Sequence, residues 1–229
     1  MLGIFDSGKG ALAVLKEVRA LYPLADICVL QDRENAPYGN KSENELTAIV
    51  KRNITRLVEV GASRVLIGCC TAATVYSRLG RIERQLSIPI IKPTAHKAAH
   101  TTLSRSVGVI ATCATVRAHA FKCEITAIAP ECRVTEIPAQ ELVEMVEKNE
   151  INYEVISGIC DQLLAADIDT LVLGCTHFPF LSEVIGAYLP GVTLISCAEE
   201  AAKCISPPKE ERGRTNLLLP SGKTTQLME

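Results

Sequence analysis

Two similar segments at the ends of apolar runs constrain the fold of this chain most strongly. Residues 65–71 read Val-Leu-Ile-Gly-Cys-Cys-Thr, and residues 171–177 read Leu-Val-Leu-Gly-Cys-Thr-His. An aliphatic run that ends in Gly-Cys and continues into hydroxyl residues is typical of a buried parallel strand entering a strand-to-helix turn. The two Gly-Cys cysteines, Cys69 and Cys175, are 106 residues apart. This spacing predicts two copies of one α/β unit, each with a thiol at a strand end.

A second pair of segments repeats at nearly the same distance. Gly3–Ser7 and Gly108–Thr112 are both short, mainly apolar runs that end in a hydroxyl residue, and their first residues are 105 positions apart. Along the chain, strand patterns alternate with helical patterns of roughly 10–16 residues, which predicts mainly parallel sheets covered by helices on both faces. We therefore expect an α/β fold of two similar domains related by pseudo-two-fold symmetry, with the active site in the cleft between them.

The residues at the predicted strand ends suggest a reaction. Ligand sites of parallel sheets lie outside the carboxyl ends of the strands, where Asp6, Cys69, Thr112 and Cys175 all fall. Two thiols on opposite faces of one carbon are suited to inverting a stereocentre, because one removes a proton while the other delivers one. The base must be a thiolate, which helix N-termini and His177 would favour. A single such cysteine is more often a packing residue, but the duplication favours catalysis.

Composition excludes several other classes of function. A net charge of −2 and a pI near 6.1 give no reason to expect nucleic acid as a partner. The sequence contains no apolar run of about 18 residues, so no membrane helix is predicted. The N-terminus lacks the basic region of a signal peptide, so we expect a cytoplasmic protein. None of the ten cysteines forms a Cys-x-x-Cys motif, which argues against a thioredoxin-type or zinc site.

Other local patterns predict individual elements and turns. Ser42-x-x-Glu45 is a capping box that opens a helix ending near Glu59. His96 and His100 have a spacing that can bind a metal, but two ordinary histidines are favoured because no third ligand lies near them in sequence. Residues 92–94 are predicted to connect the two units. Residues 207–213 (Pro-Pro-Lys-Glu-Glu-Arg-Gly) are polar and are expected to break the structure, and residues 216–219 to add an edge strand.

With these features in place, the chain resembles the cofactor-independent glutamate racemases. The resemblance covers most of its length. It is carried by residues 3–8 (Gly-Ile-Phe-Asp-Ser-Gly), 35–42 (Asn-Ala-Pro-Tyr-Gly-Asn-Lys-Ser), 69–72 (Cys-Cys-Thr-Ala), 108–112 (Gly-Val-Ile-Ala-Thr) with Thr115, 142–147 (Leu-Val-Glu-Met-Val-Glu) and 174–179 (Gly-Cys-Thr-His-Phe-Pro). The resemblance implies two α/β domains, residues 1–92 with 198–229 and residues 93–197.

The resemblance also implies an activity. It implies interconversion of L- and D-glutamate, which supplies D-glutamate for bacterial peptidoglycan, without pyridoxal phosphate, metal or any other cofactor. The expected partner is the small-molecule substrate glutamate, with no nucleic acid and no membrane, and a homodimer is left open. Another acidic amino acid or a hydantoin as substrate, or a weakly active binding or regulatory protein, remain the alternatives.

Site residues follow from the resemblance position by position. Cys69 and Cys175 resemble the paired acid/base thiols, with Asp6, Glu147 and His177 as their proton-handling neighbours. The expected substrate contacts are Asp6, Ser7, Tyr38, Gly39, Cys70, Thr71, Thr112, Thr115, Thr176 and His177. Two departures stand out: Cys70 replaces a usual asparagine, and residues 8–11 read Gly-Lys-Gly-Ala where a Gly-Gly pair is usual. Because a thiol is a weaker donor than an amide, we expect one substrate contact to be lost or rearranged.

Overall fold

The computed structural model describes residues 1–206 and 212–227. The strands are β1 (Leu2–Asp6), β2 (Ile27–Gln31), β3 (Arg64–Ile67), β4 (Ser87–Pro89), β5 (Ser106–Ala111), β6 (Arg133–Pro138), β7 (Thr170–Gly174), β8 (Thr193–Ser196), β9 (Thr215–Leu218) and β10 (Thr224–Gln226). The α-helices are α1 (Gly10–Leu21), α2 (Glu43–Glu59), α3 (Cys70–Ala73), α4 (Arg81–Leu86), α5 (Ile91–Thr101), α6 (Cys113–Arg117), α7 (Ala120–Ile128), α8 (Gln140–Lys148), α9 (Tyr153–Ala165), α10 (Ser182–Tyr188) and α11 (Cys197–Lys203).

In the described part of the chain, the strands form two sheets. One has the order β10-β9-β2-β1-β3-β4 and the other has the order β6-β5-β7-β8. Every pairing is parallel except that of β10 with β9. Strands β1, β5 and β7 are buried along their whole length, as expected for inner strands with helices on both sides. The α/β fold with mainly parallel sheets is confirmed.

The two sheets repeat the same arrangement of strands. In the six-stranded sheet, β2-β1-β3-β4 has the same order and direction as β6-β5-β7-β8 in the other sheet. Thus β1 corresponds to β5 and β3 corresponds to β7, which are the strands carrying the two sequence repeats. The strand ends with thiols therefore occupy equivalent positions in their sheets.

The C-terminal residues return to the first sheet. Strand β9 pairs with β2, and β10 pairs with β9 at the outer edge, so the predicted strand at 216–219 is flanked by a further strand. Asp26 accepts a hydrogen bond from the Arg214 guanidinium at 2.7 Å and thereby holds this return. Of the segment 207–213, residues 207–211 lie outside the described residues, and residues 212–213 belong to neither a helix nor a strand, as predicted. The domain limits at 92–93 and 197–198 stay a prediction.

Local predictions were confirmed in part. The capping box is present, with Ser42 Oγ accepting from Glu45 N–H and the Glu45 carboxylate accepting from Ser42 N–H. Residues 92–94, which were predicted to connect the two units, lie in the first turn of α5, between β4 of the first sheet and β5 of the second. Proline is tolerated there, since the first N–H groups of a helix have no intrahelical partner. Residues 70–86 form α3, a 3₁₀ turn and α4 in succession.

Candidate active site

Asp6 lies at the carboxyl end of β1 and is fully buried. Its carboxylate accepts hydrogen bonds from Gly8 N–H at 2.8 Å and from the Thr176 hydroxyl at 2.9 Å. Because Thr176 follows β7, the second bond joins the strand ends of the two sheets. Gly10 makes this approach possible, since a Cβ at that position would overlap with Thr176 Oγ1. Burial raises the pKa of Asp6, against the opposing effects of His177 and of these hydrogen bonds.

Cys69 follows β3, immediately before α3, and is 6% exposed. Its sulfur lies 3.9 Å from Ser7 Oγ, on the turn after β1. The pKa of the Cys69 thiol is raised to about 12, first by burial and second by the Asp6 carboxylate. Hydrogen bonds from Ala72, Ser7 and Thr71 lower it. The predicted effect of the helix N-terminus is therefore present, but burial outweighs it and keeps this thiol neutral.

Cys175 follows β7 and is 7% exposed. Its sulfur lies 3.7 Å from Nδ1 of His177, and His177 Nε2 lies 2.6 Å from a carboxylate oxygen of Glu147. Burial raises the pKa of the Cys175 thiol well above its usual value, and the backbone N–H of His177 opposes this. Burial also acts to raise the pKa of Glu147, but the hydrogen bonds of His177 and Lys9 outweigh it and lower that pKa. The three side chains form a chain of contacts from a buried sulfur to a partly exposed carboxylate.

Three threonines form a hydroxyl cluster between the sheets. Thr71 Oγ1 lies 2.9 Å from Thr112 Oγ1 and 3.5 Å from Thr115 Oγ1, and the Thr112 and Thr115 hydroxyls are 2.9 Å apart. All three side chains are buried. Thr112 also caps α6, where its hydroxyl accepts from Thr115 N–H. Because a hydroxyl rotates freely between donor and acceptor roles, this cluster can turn its protons towards an anionic ligand.

Tyr38 and Gly39 lie in a short 3₁₀ helix, Tyr38–Asn40, that reaches towards the second sheet. The buried Tyr38 hydroxyl donates to Asp32 at 2.7 Å, and Asn53 donates to the same carboxylate at 2.8 Å. Burial and the Asp32 carboxylate raise the pKa of Tyr38, so its phenol stays protonated. The carbonyl of Gly39 accepts from Arg117 at 3.4 Å. Asn35 also donates to the Asp32 carboxylate, at 2.6 Å. The Tyr38 hydroxyl is therefore fixed by Asp32 and Asn53 directly and by Asn35 through Asp32.

Cys70 is buried and contacts a different partner from Cys69. Burial raises the pKa of the Cys70 thiol well above its usual value, and the neighbouring Cys197 thiol adds to this effect. Cys197 is the first residue of α11 and is fully buried. Cys69 therefore contacts the turn after β1, whereas Cys70 packs towards α11. Sequence reasoning missed Cys197, because a buried cysteine in an apolar run gives no signal of its neighbours.

Sequence reasoning also missed the role of Lys9. Its backbone N–H donates to Glu147 at 3.1 Å, and its ammonium group donates to the Glu147 carbonyl at 2.7 Å. The only sequence signal was that residues 8–11 depart from the usual family pattern. The structure otherwise brings together predicted residues at the ends of β1, β3, β5 and β7, through the contacts of Ser7 with Cys69, Asp6 with Thr176, and Thr71 with Thr112. The Tyr38 hydroxyl bonds Asp32 and Asn53, and the Gly39 carbonyl bonds Arg117 of the second sheet's side.

Two further predictions concern metals and membranes. His96 and His100 stack on each other on α5, with ring centroids 4.2 Å apart. Among residues 1–206 and 212–227, no group of three or more His, Cys, Asp or Glu side chains is arranged to hold a metal ion. Over the same residues, no helix combines the length and the apolar character needed to span a bilayer.

Comparisons with known proteins identify the family. The sequence profile described as Asp/Glu/Hydantoin racemase matches residues 15–205. A glutamate racemase of Shewanella frigidimarina (strain NCIMB 400) is 37% identical over 211 residues, which cover 87% of this chain and 80% of that protein. The structure of glutamate racemase isoform RacE1 from Bacillus anthracis has a TM-score of 0.82 at 30% identity, covering 89% of this chain and 79% of the other.

A third similar protein carries a ligand. Glutamate racemase from Francisella tularensis subsp. tularensis SCHU S4, solved in complex with D-glutamate, has a TM-score of 0.77 at 27% identity. The match covers 88% of this chain and 78% of the other. The profile match alone spans well over half of the sequence, and the relatives agree with it in fold and in name. This chain therefore belongs to the Asp/Glu/Hydantoin racemase family.

Proposed function

We propose that this protein is a glutamate racemase, an isomerase that interconverts L- and D-glutamate by proton transfer between two thiols. One observation carries the proposal: two buried thiols stand at the ends of equivalent strands, and each has its own polar neighbour. Cys69 has Ser7 at 3.9 Å, and Cys175 has His177 at 3.7 Å. Their pairing supports a reaction in which one thiol works on each face of the substrate Cα.

The first step requires a thiolate in a site that disfavours charge. Burial raises the pKa of both Cys69 and Cys175, so the thiols start as neutral groups. Bound glutamate brings its own α-ammonium group, and a positive charge beside a buried thiol stabilises the thiolate. The thiolate then removes the Cα proton, and the thiol on the opposite face delivers its proton to the same carbon. Each turnover thus exchanges the protonation states of the two cysteines.

His177 and Glu147 provide a proton acceptor for Cys175. A Glu147 carboxylate with a lowered pKa accepts a hydrogen bond from the Nε2–H of His177, which leaves Nδ1 unprotonated in the neutral ring. That nitrogen faces Cys175 Sγ. It can therefore take the thiol proton, and the Glu147 carboxylate stabilises the resulting imidazolium. On the other side, Ser7 and Asp6 are the proton-handling neighbours that we assign to Cys69.

Glutamate is the substrate that the relatives support best. The relatives named above are glutamate racemases, and one was solved with D-glutamate. We assign the Thr71, Thr112 and Thr115 hydroxyls, with Thr176 and Tyr38, to binding the polar groups of glutamate. Gly39 and Cys70 complete the proposed substrate contacts, with Cys70 in place of an amide donor. No cofactor takes part in the proposed reaction.

The cellular role follows from the product. We propose that D-glutamate made by this enzyme in the cytoplasm enters peptidoglycan synthesis.

We also propose that the protein has two domains. The first consists of residues 1–92 with 198–229, and the second consists of residues 93–197.

Circular dichroism tests the proposed activity. Purified enzyme at high concentration is incubated separately with D-glutamate, L-glutamate and D-aspartate, with no added cofactor. The proposal predicts that the signals of both glutamate enantiomers decay to zero while that of D-aspartate decays much more slowly. Faster decay of D-aspartate would move the substrate assignment to aspartate. No decay with any amino acid, combined with saturable glutamate binding, would identify a binding protein instead.

A further inference from the structure

Lys9 connects the two sheets at the edge of the proposed active site. It is the residue before α1, on the first sheet's side, and its ammonium group reaches the end of α8 on the second sheet's side. The ammonium donates to the carbonyls of Val146 and Glu147 at 3.2 and 2.7 Å and to Asn149 Oδ1 at 3.3 Å. These are acceptors at a helix C-terminus, where a cation interacts favourably with the helix dipole.

The same residue also contacts the side chain of Glu147. The backbone N–H of Lys9 donates to Glu147 Oε1 at 3.1 Å, and that oxygen also lies 2.6 Å from His177 Nε2. Lys9 thus contacts Glu147 at two points. The Lys9 ammonium bonds the main-chain carbonyl of Glu147, and the Lys9 backbone N–H bonds the Glu147 carboxylate. Gly8 leaves space for this approach, because a Cβ there would lie 2.7 Å from Glu147 Oε1.

The contacts continue from Glu147 to the second thiol. Glu147 bonds His177, and His177 faces Cys175 at 3.7 Å. The Glu147 side chain is 41% exposed and so needs external contacts to stay in one rotamer, whereas the His177 side chain is only 4% exposed. Because Glu147 is held at its main chain and at its carboxylate, its side chain has lost its rotamer freedom before the reaction begins. Such positioning accelerates proton transfer.

We propose that Lys9 is a positioning residue that holds Glu147 against His177 and thereby serves proton transfer at Cys175 rather than at Cys69. The proposal rests on the proposed racemase function. Lys9 touches neither thiol, so it acts through Glu147.

The two directions of the reaction separate this role from a simple tether between the sheets. In a two-thiol racemase, Cys175 removes the proton from one enantiomer and Cys69 removes it from the other. Slower transfer at Cys175 makes that step more rate-limiting. With α-deuterated substrates, the isotope effect on kcat/KM then rises for one enantiomer and falls for the other. A tether that only stabilises the closed arrangement changes both isotope effects in the same direction or leaves both unchanged.

The test compares the wild type with Lys9→Met, Lys9→Arg and Glu147→Gln. Lys148→Met is the matched control, because Lys148 is an exposed lysine at the end of the same helix. Lys9→Met is expected to lower kcat about tenfold and to change KM less than about twofold, since it loosens Glu147 without touching substrate. Lys9→Arg should regain all but about threefold of the lost rate, because guanidinium also donates to helix carbonyls.

The isotope effects decide the outcome. Lys9→Met should shift them in opposite directions for the two enantiomers, with the same pattern as Glu147→Gln, and Lys148→Met should match the wild type. A symmetric change, or a loss of rate in Lys9→Met that follows only its loss of thermal stability, would overturn the positioning role. An inactive wild type would instead overturn the proposed function, and wild-type rates in Lys9→Met would overturn this inference alone.

Discussion

The turns after β3 and β7 begin with the same residue types and differ in what surrounds the thiol. Cys69 is followed by a second thiol and lies near the Ser7 hydroxyl and the Asp6 carboxylate. Cys175 is followed by a threonine and lies beside an imidazole that is bonded to Glu147. Strand order is repeated between the two sheets, whereas the polar side chains beside the thiols are not. Equivalent backbone positions therefore have unequal chemical surroundings.

This difference has a physical basis. Both thiols are buried, so each needs help to ionise. At Cys175 we assign that help to His177, two residues along the chain. At Cys69 the negative charge of the Asp6 carboxylate raises the thiol pKa and so opposes ionisation. We therefore expect the Cys69 side to depend more strongly on the positive charge of the bound substrate.

Removal of either thiol should have the largest effect. We expect Cys69→Ser and Cys175→Ser each to lower kcat about 10³-fold, because a serine hydroxyl is a far weaker acid and proton transfer by a positioned group contributes of that order. Cys70→Ser is the matched control and should stay within about tenfold of the wild type. Circular dichroism of D-glutamate measures all three variants. If Cys70→Ser lost as much activity as Cys69→Ser, the assignment of the acid/base role to Cys69 rather than Cys70 would be contradicted.

The imidazole should matter less than the thiol that it serves. His177→Asn removes the proton acceptor beside Cys175 and keeps a polar side chain, and we expect kcat to fall about 10²-fold. The isotope effects of the two α-deuterated enantiomers should move apart, as in the Lys9 experiment. Equal isotope effects in both directions would mean that His177 is not dedicated to the Cys175 side.

The contact that joins the two turns can be tested through stability. In Gly10→Ala the new methyl group overlaps with Thr176 Oγ1 and displaces its bond to Asp6, so we expect a loss of about 1–3 kcal/mol in the free energy of unfolding. The control is Gly158→Ala, on an open face of α9 with no atom near the new Cβ. It should stabilise by about 0.5–1 kcal/mol. Urea denaturation measures both. A Gly10→Ala protein as stable as the wild type would mean that the two turns separate without cost.

The hydroxyl beside Cys69 should have the smallest effect. Ser7→Ala removes a contact of 3.9 Å to a sulfur, which is a weak acceptor, so we expect kcat to fall by no more than about fivefold. Steady-state kinetics with both enantiomers measures it. A loss as large as that of His177→Asn would show that the two turns depend equally on their polar neighbours and would remove the asymmetry described above.

The sequence predicted the strands and the two thiol turns well, because period and spacing are local properties. An aliphatic run that ends in Gly-Cys predicts both a buried strand and the strand-to-helix turn that follows it. Contacts between distant residues were not accessible in this way. Lys9 and Glu147 are separated by 138 positions, and a lysine near a helix start gives no indication of which carbonyls it will reach. The same holds for Cys70 and Cys197. The helical conformation of residues 92–94 was not predicted, because proline is compatible both with an irregular connection and with a first helical turn.

The most direct test of the two-thiol account follows hydrogen at Cα. Glutamate of one configuration is incubated with the enzyme in deuterium oxide, the reaction is stopped early, and the enantiomers are separated and examined by proton NMR. Each thiol holds one proton, so the account predicts deuterium at Cα of the product and almost none in the remaining substrate, from either starting enantiomer. Product that keeps the original hydrogen, or equal deuterium in substrate and product at early times, would show that a single base serves both faces and would contradict the account.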